Sequence, residues 1–248
     1  METLFVYRWS LGSLFCLLLP LIGIVGTRLQ WWPYTLGLLL LVVALGCSLL
    51  LLPFALWQRQ WLAMVPPILL LLLVLPFVVR AFTLPAIHDI STDTTNPPAL
   101  TAALTLRSEG DHSIEYQGAA VAQQQHATWP GIQPLIIQKP LEQVHTQVQV
   151  LVARRGWTIT ANSNHQLEAV SRSTLFGFSD DIAIRLTPVT PAEGSPVDAT
   201  VLNHLNKNKQ QTTMATRVDM RSASRVGKSD LGANAKRVCA FLTELNQL

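Results

Sequence analysis

The chain predicts two architectures in series: an α-helical membrane region of three transmembrane helices, then an α+β domain. The second part is expected to be a four-stranded antiparallel sheet with two helices on one face. Three observations carry this reading. Charged residues almost vanish from the first 80 positions, where only Glu2, Arg8, Arg28, Arg59 and Arg80 occur. Five of the seven tryptophans stand at the ends of apolar runs in that same stretch. Beyond residue 140 the apolar spacing turns from helical to alternating and back to helical.

The first apolar run, residues 11–27, lies between Arg8 and Arg28; the second, 34–57, contains "LGLLLLVVALGCSLLLLPFAL"; the third, 62–79, ends at Arg80 and holds Pro66, Pro67 and Pro76. At about 1.5 Å per residue, about 20 residues cross a hydrocarbon layer of about 30 Å. Trp9, Trp31, Trp32, Trp57 and Trp61 then fall in the headgroup zone, which amphipathic rings prefer. The prolines are expected to kink the third helix or mark its entry, since each removes a backbone donor. No basic residue follows Arg80 until Arg107, whereas Asp89 and Asp93 do, so the C-terminal part is expected outside and the N-terminus inside.

Residues 81–140 predict an extended tether packed on the domain, because "HDISTDTTNPP" and "TWPGIQPLIIQKP" are rich in turn formers and proline. Residues 141–248 form the domain proper. Leu141, Val144, Val148, Leu151 and Val152 mark one helix face, with Gly156 as its stop. "WTITA", "QLEAVSR", "DIAIRL" and "TRVDMRSAS" alternate as strands, sending Ile182, Ile184, Leu186, Val218 and Met220 to one side. Leu231, Ala235, Val238, Leu242 and Leu245 stripe a last helix. The polar run between the third and fourth strands, beginning "GSPVDATVLNHLNKNKQQ", is expected to be a surface excursion.

Several function classes are excluded by composition and spacing. Outside the membrane region the chain carries fourteen Lys/Arg and fourteen Asp/Glu, so it has no basic footprint for nucleic acid. "VGKS" ends like a phosphate-binding loop, but the glycine required five positions before Gly227 is Ser222, which belongs to a strand, so no nucleotide is expected. Ser229 is instead expected to cap the last helix, with Asp230 at its positive end. Ser179 and Ser229 lack the second glycine of a nucleophile elbow. His88, Asp89 and Asp93 match no closed metal site, so neither metal nor cofactor is expected. Cys16, Cys47 and Cys239 leave the domain without a possible disulfide.

The sheet face turned away from the helices is expected to carry Glu168, Arg172, Asp181, Arg185, Arg217, Asp219, Arg221 and Arg225. Guanidinium groups suit carboxylates and phosphates. "IHDISTD", "GWTI", "FGFSDDIAIR" and "RSASRVGKSDLGANAKRV" together resemble the bacterial and chloroplast family catalogued as domain of unknown function 1499. The resemblance implies that "HDISTD", Asp180, Asp181, Arg221, Ser224, Arg225, Gly227, Ser229, Asp230 and Asn234 belong to the motif core, and it carries no established activity.

The expected function is a membrane-anchored, non-enzymatic module of the cell envelope. It would bind an anionic ligand, lipid headgroup or partner protein through Arg172, Arg185, Arg217, Arg221 and Arg225, with Asp180, Asp181, His88 and Asp89 as further candidate site residues. The alternative is an envelope hydrolase using Asp180 or Asp181 with His88. The expected location is the bacterial inner membrane, with the C-terminal domain on the periplasmic side and the lipid bilayer as first partner.

Overall fold

A computed structural model describes residues 2–189 and 215–248, with side chains from residue 12 onwards. The surface excursion expected between the last two strands lies outside the described residues, as does the side chain of Trp9. The chain divides into two compact units: residues 1–84 together with 173–178, and residues 85–172 together with 179–248.

The first unit is built on α1 (Glu2–Arg28), α2 (Tyr34–Trp57) and α3 (Trp61–Thr83). Two of these, α2 and α3, are long and apolar enough to cross a membrane, with mean hydropathies of 2.7 and 2.8. The described apolar part of α1, Gly12–Arg28, is shorter. In α2 and α3 only 17% and 22% of the most apolar stretch is buried, so most of that apolar surface is left uncovered by the described residues. Their aliphatic side chains, including Leu39, Val42, Leu50, Leu62, Leu72 and Leu73, are exposed, as are Trp31, Trp57 and Trp61 at the helix ends.

Glycine lets α1 and α2 approach closely. A Cβ on Gly23 would stand 2.8 Å from the Gly37 carbonyl oxygen, and one on Gly37 would stand 2.8 Å from that of Gly23. Without a side chain at either position the two helix backbones come into direct contact.

The second unit holds a six-stranded sheet, antiparallel throughout, in place of the expected four strands. Its strands are β1 (Asp89–Ser91), β2 (Leu135–Ile137), β3 (Thr158–Asn162), β4 (Gln166–Arg172), β5 (Ser179–Val189) and β6 (Ala215–Ser224). The order is β1-β6-β5-β4-β3, and β2 shares the outer edge of β6 with β1. Both extra strands come from the stretch expected to be an irregular tether. Three residues each, flanked by turn formers, are too few for alternation to show. That stretch also forms two helices, α4 (Ala103–Leu106) and α5 (Ala119–Thr128). Gln125 of α5 is fully buried; its carbonyl accepts from Ser91 N at 3.0 Å and its amide donates to Ser91 O at 2.7 Å, which pins β1.

The expected helices follow. The helix α6 (Leu141–Arg154) ends before Gly156, whose φ of 67° is a glycine conformation, and α7 (Ala233–Asn246) closes the domain. Val144, Val148, Leu151 and Val152 of α6 and Val238, Phe241 and Leu245 of α7 share one core with Leu167, Ile182, Ile184, Leu186, Val218 and Met220. Trp157 stacks on Phe241 with ring centroids 5.4 Å apart. The strand β3 departs from the expected alternation: a bulge between Ile159 and Ala161 shifts its register, and Ile159 is exposed.

Ser229 does not cap α7. Asp230 takes that role, accepting from Gly232 N at 2.8 Å and Asn234 N at 2.7 Å, while the Ser229 hydroxyl accepts from Leu231 N. A carboxylate satisfies two orphan amides of the first turn where a hydroxyl satisfies one. Phe241 joins both helices to the sheet, so Phe241→Ala is expected to lower stability by about 3–5 kcal/mol. Urea unfolding of the detergent-purified protein, followed by tryptophan fluorescence, measures it.

Candidate functional site

Strand register sorts the candidate residues by face. Asp89 and Asp181 lie opposite Ala223 from its two sides, Ser91 and Ala183 lie opposite Arg221, and Arg185 lies opposite Asp219. Glu168 is level with Ala183, so the second face of the sheet carries Asp89, Glu168, Asp181, Arg185, Asp219 and Arg221 together. This is the face expected from the sequence. It is not open to water: Asp89, Glu168, Asp181, Asp219 and Arg221 are all buried.

Residues 98–117 cover it. Leu100 and Ala103 pack on Ala183 and Ala223, whose small side chains leave room for the covering chain. Glu168 accepts from Thr101 N at 3.1 Å, Ala102 N at 2.8 Å and the Thr101 hydroxyl, which fastens the start of α4 to the sheet.

The arginines are consumed by carboxylates. Arg221 makes a two-pronged pair with Asp89, Nε to Oδ1 at 3.0 Å and Nη2 to Oδ2 at 2.7 Å, and also donates to the carbonyls of Pro98 and Ile114. Its guanidinium carbon lies 5.6 Å from the Tyr116 ring centroid. Burial, then the Asp89 charge, push the Tyr116 phenol up to about 12, against the pull of Arg221. Asp181 takes two arginines: Arg225 by Nη2 at 2.7 Å and Arg107 by Nε at 2.8 Å. A third group pairs Arg185 and Arg217 with Asp93 and Asp219 at 3.0–3.3 Å. The hydrogen bond to Asp219 raises the Arg217 pKa, so this group stays charged.

The single cluster of Arg172, Arg185, Arg217 and Arg221 expected from the sequence therefore divides. Arg172 pairs in register with Ser179 at one end of β5, while Arg217 pairs with Thr187 towards the other. Eight residues of strand separate those ends, about 27 Å. The side chain of Arg172 is exposed, and among the described residues it makes no hydrogen bond or ion pair. The side chain of Arg221 is only 4% exposed; those of Arg185 and Arg217 are 22% and 37% exposed.

Asp180 and Asp181 do not converge. Neighbours in a strand point to opposite faces, and Asp180 lies on the helix side, where Arg237 Nη2 donates to it at 2.6 Å. A buried polar network surrounds that contact. Asn234 donates to the His88 carbonyl and to the Ser224 hydroxyl at 2.9 Å each, and it accepts from Ser222 Oγ at 2.7 Å and from Arg237. Ser222, the residue standing where a phosphate loop needs glycine, is thus a buried strand residue bonded to α7. Asp230 lies near this network; burial raises its pKa first of all, while the two α7 amides oppose that shift.

The ring of His88 meets no carboxylate of the expected hydrolase set. It stacks on His112, with centroids 3.9 Å apart and planes 16° from parallel, and lies 3.4 Å from the Gln117 amide nitrogen. Burial and the neighbouring His112 lower its pKa below the ordinary 6.5. Asp93 accepts from Thr95 N and Asn96 N in addition to its arginines, so it bonds turn amides as well as guanidinium groups.

Arg107, His112, Tyr116 and Arg237 are the site residues that sequence reasoning missed. The first three sit in the covering stretch, whose lone charges and rings have no periodicity. Arg237 was legible in principle, being one helical turn beyond Asn234 and on the same face.

Because Asp89 is buried, Arg221→Met is expected to lower stability by about 3–5 kcal/mol, whereas Arg221→Met combined with Asp89→Leu is expected to recover most of it. Urea unfolding of the three variants against the parent checks the pattern.

Compared with known proteins, residues 89–245 match the family model described as "Protein of unknown function (DUF1499)", well over half of the chain. No curated protein matches.

Proposed function

The chain belongs to the DUF1499 family, whose description assigns no activity, and from the site itself we propose a membrane-anchored, non-enzymatic module of the cell envelope that recognises an oxyanion at Arg185 and Arg217. In this reading α1, α2 and α3 all span the bilayer, and the C-terminal domain stands on the periplasmic side of an inner membrane. The exposed aliphatic surfaces of α2 and α3 support the anchoring. The recognition role rests on one observation: Arg185 and Arg217 remain 22% and 37% exposed, while Arg107, Arg221 and Arg225 on the same face are 15% exposed or less.

Two guanidinium groups side by side offer parallel donors to a phosphate or carboxylate. Asp93 and Asp219 hold them in position, and Asp93, the more exposed of the two, is the group that an incoming anion displaces. The shared chemistry is that of a lipid headgroup phosphate or a protein carboxylate.

The hydrolase reading gains no support from the geometry, since Asp180 and Asp181 engage arginines on opposite faces. Native mass spectrometry of the full chain, extracted in mild detergent and offered phosphatidylglycerol or a polyglutamate peptide, separates the two anion sources. Arg185→Ala with Arg217→Ala is expected to weaken retention of the bound anion about tenfold or more. Equal retention by parent and variant counts against the proposal.

A further inference from the structure

We infer that His88 and His112 form an acid-sensitive latch, which holds residues 107–117 over the charged face of the sheet at neutral pH and releases them on acidification. The two rings are stacked, 3.9 Å between centroids, at a junction of three chain segments. His88 precedes β1, His112 lies in the covering segment, and both reach the connection between β6 and α7. There His112 Nε2 donates to Gly227 O at 2.9 Å, and the Lys228 backbone lies close enough to His88 to favour its protonation. Gly227, with φ at 90°, gives the connection the left-handed turn that presents its carbonyl to His112.

The segment held by the latch is also tied down by the Arg107–Asp181 ion pair and by hydrogen bonds. His112 N donates to Arg225 O at 2.7 Å, Arg107 Nη1 donates to His112 O and Ser113 O, Arg221 donates to Ile114 O, and Gln117 approaches His88. Beneath it lie the Arg221–Asp89 and Arg225–Asp181 pairs, and the segment's own Arg107 reaches down to Asp181. Lifting the segment opens these ion pairs to water.

Two parallel imidazoles in van der Waals contact tolerate one proton between them, but a second puts two like charges within about 4 Å in a partly buried site. The charges around the pair do not cancel that repulsion. Asp89, beside His88, favours protonation, yet it is already committed to Arg221. Arg107, at the head of the covering segment, opposes it, as does burial itself. Asp180 and Asp181 are held by Arg237, Arg107 and Arg225; Asp230 caps α7; and Asp111 accepts from Ser108 N. Lys228, Glu109 and Glu115 are the further charged groups of the adjoining segments. With a folded pKa below 6.5, His88 contributes its full stability above that value, and the contribution is lost as pH falls through 6.5 towards the folded value.

Hydrogen–deuterium exchange on the full chain in detergent micelles, corrected for intrinsic rates, reads the latch directly. Between about pH 7.5 and about pH 5, protection of peptides spanning residues 107–118 is expected to fall about tenfold more than that of α6 peptides. His112→Gln keeps an amide donor for Gly227 without a titratable ring. Its covering segment is expected to show the same protection at both pH values, whatever its absolute level. Unchanged protection in the parent, or a pH response in His112→Gln equal to the parent's, overturns the inference.

Discussion

The sheet domain depends on the ion pair between Arg221 and Asp89. Its partners are 132 positions apart, both are buried, and their two parallel hydrogen bonds cross from the middle of β6 to the short edge strand β1. A three-residue strand has little intrinsic stability. What fixes β1 is this pair together with the Gln125 amide, which closes on Ser91 from α5. The same guanidinium holds Pro98 and Ile114 through their carbonyls, so a single side chain ties the beginning, the covering segment and the end of the domain together. Replacing such a pair by apolar side chains is often tolerated, but leaving one charge alone is not. Geometry and register are what the pair enforces.

Carboxylates elsewhere on the sheet repeat this pattern. Glu168 receives backbone amides, Asp180 receives Arg237, Asp181 receives two arginines, and Asp219 receives two more. Each of these buried carboxylates has its partner, which is what a low-dielectric surrounding demands. A sheet with helices on one side and an irregular, hydrogen-bonded cover on the other can therefore keep polar residues on its second face without exposing them. The small side chains of Ala183 and Ala223 make that cover possible, because larger groups there would hold the chain away from the arginines.

Much of this was legible from residue order. Leu141 to Val152 and Ala235 to Leu245 announced two helices, because a 3.6-residue period persists over several turns. The alternation in "DIAIRL" and "TRVDMRSAS" identified the two central strands, and with them which arginines share a face. Periodicity says nothing, however, about what covers a face. Residues 98–117 have none, so the burial of Arg221 and Asp181 was not legible in the spacing of the strands. Trp129, Pro130 and Gly131 drew attention to turns and away from "LII", a strand defined only by its pairing with β6. His112 had no signal at all, since its stacking partner lies 24 positions earlier with no motif between them.

The position of β6 has a consequence for biogenesis. It is the hub of the sheet, bordered by β5 on one edge and by both β1 and β2 on the other, yet it is the last strand to leave the ribosome. Until it emerges, the amides and carbonyls of β1 and β2 have no template to dock on, and Asp89 has no guanidinium. Contacts of such long sequence separation close slowly because the loop entropy is lost before any pairing compensates it. A nascent chain halted before residue 215 would hold α6 and the β3–β5 meander but neither of the strands that begin the domain, so completion of the sheet waits for the synthesis of β6.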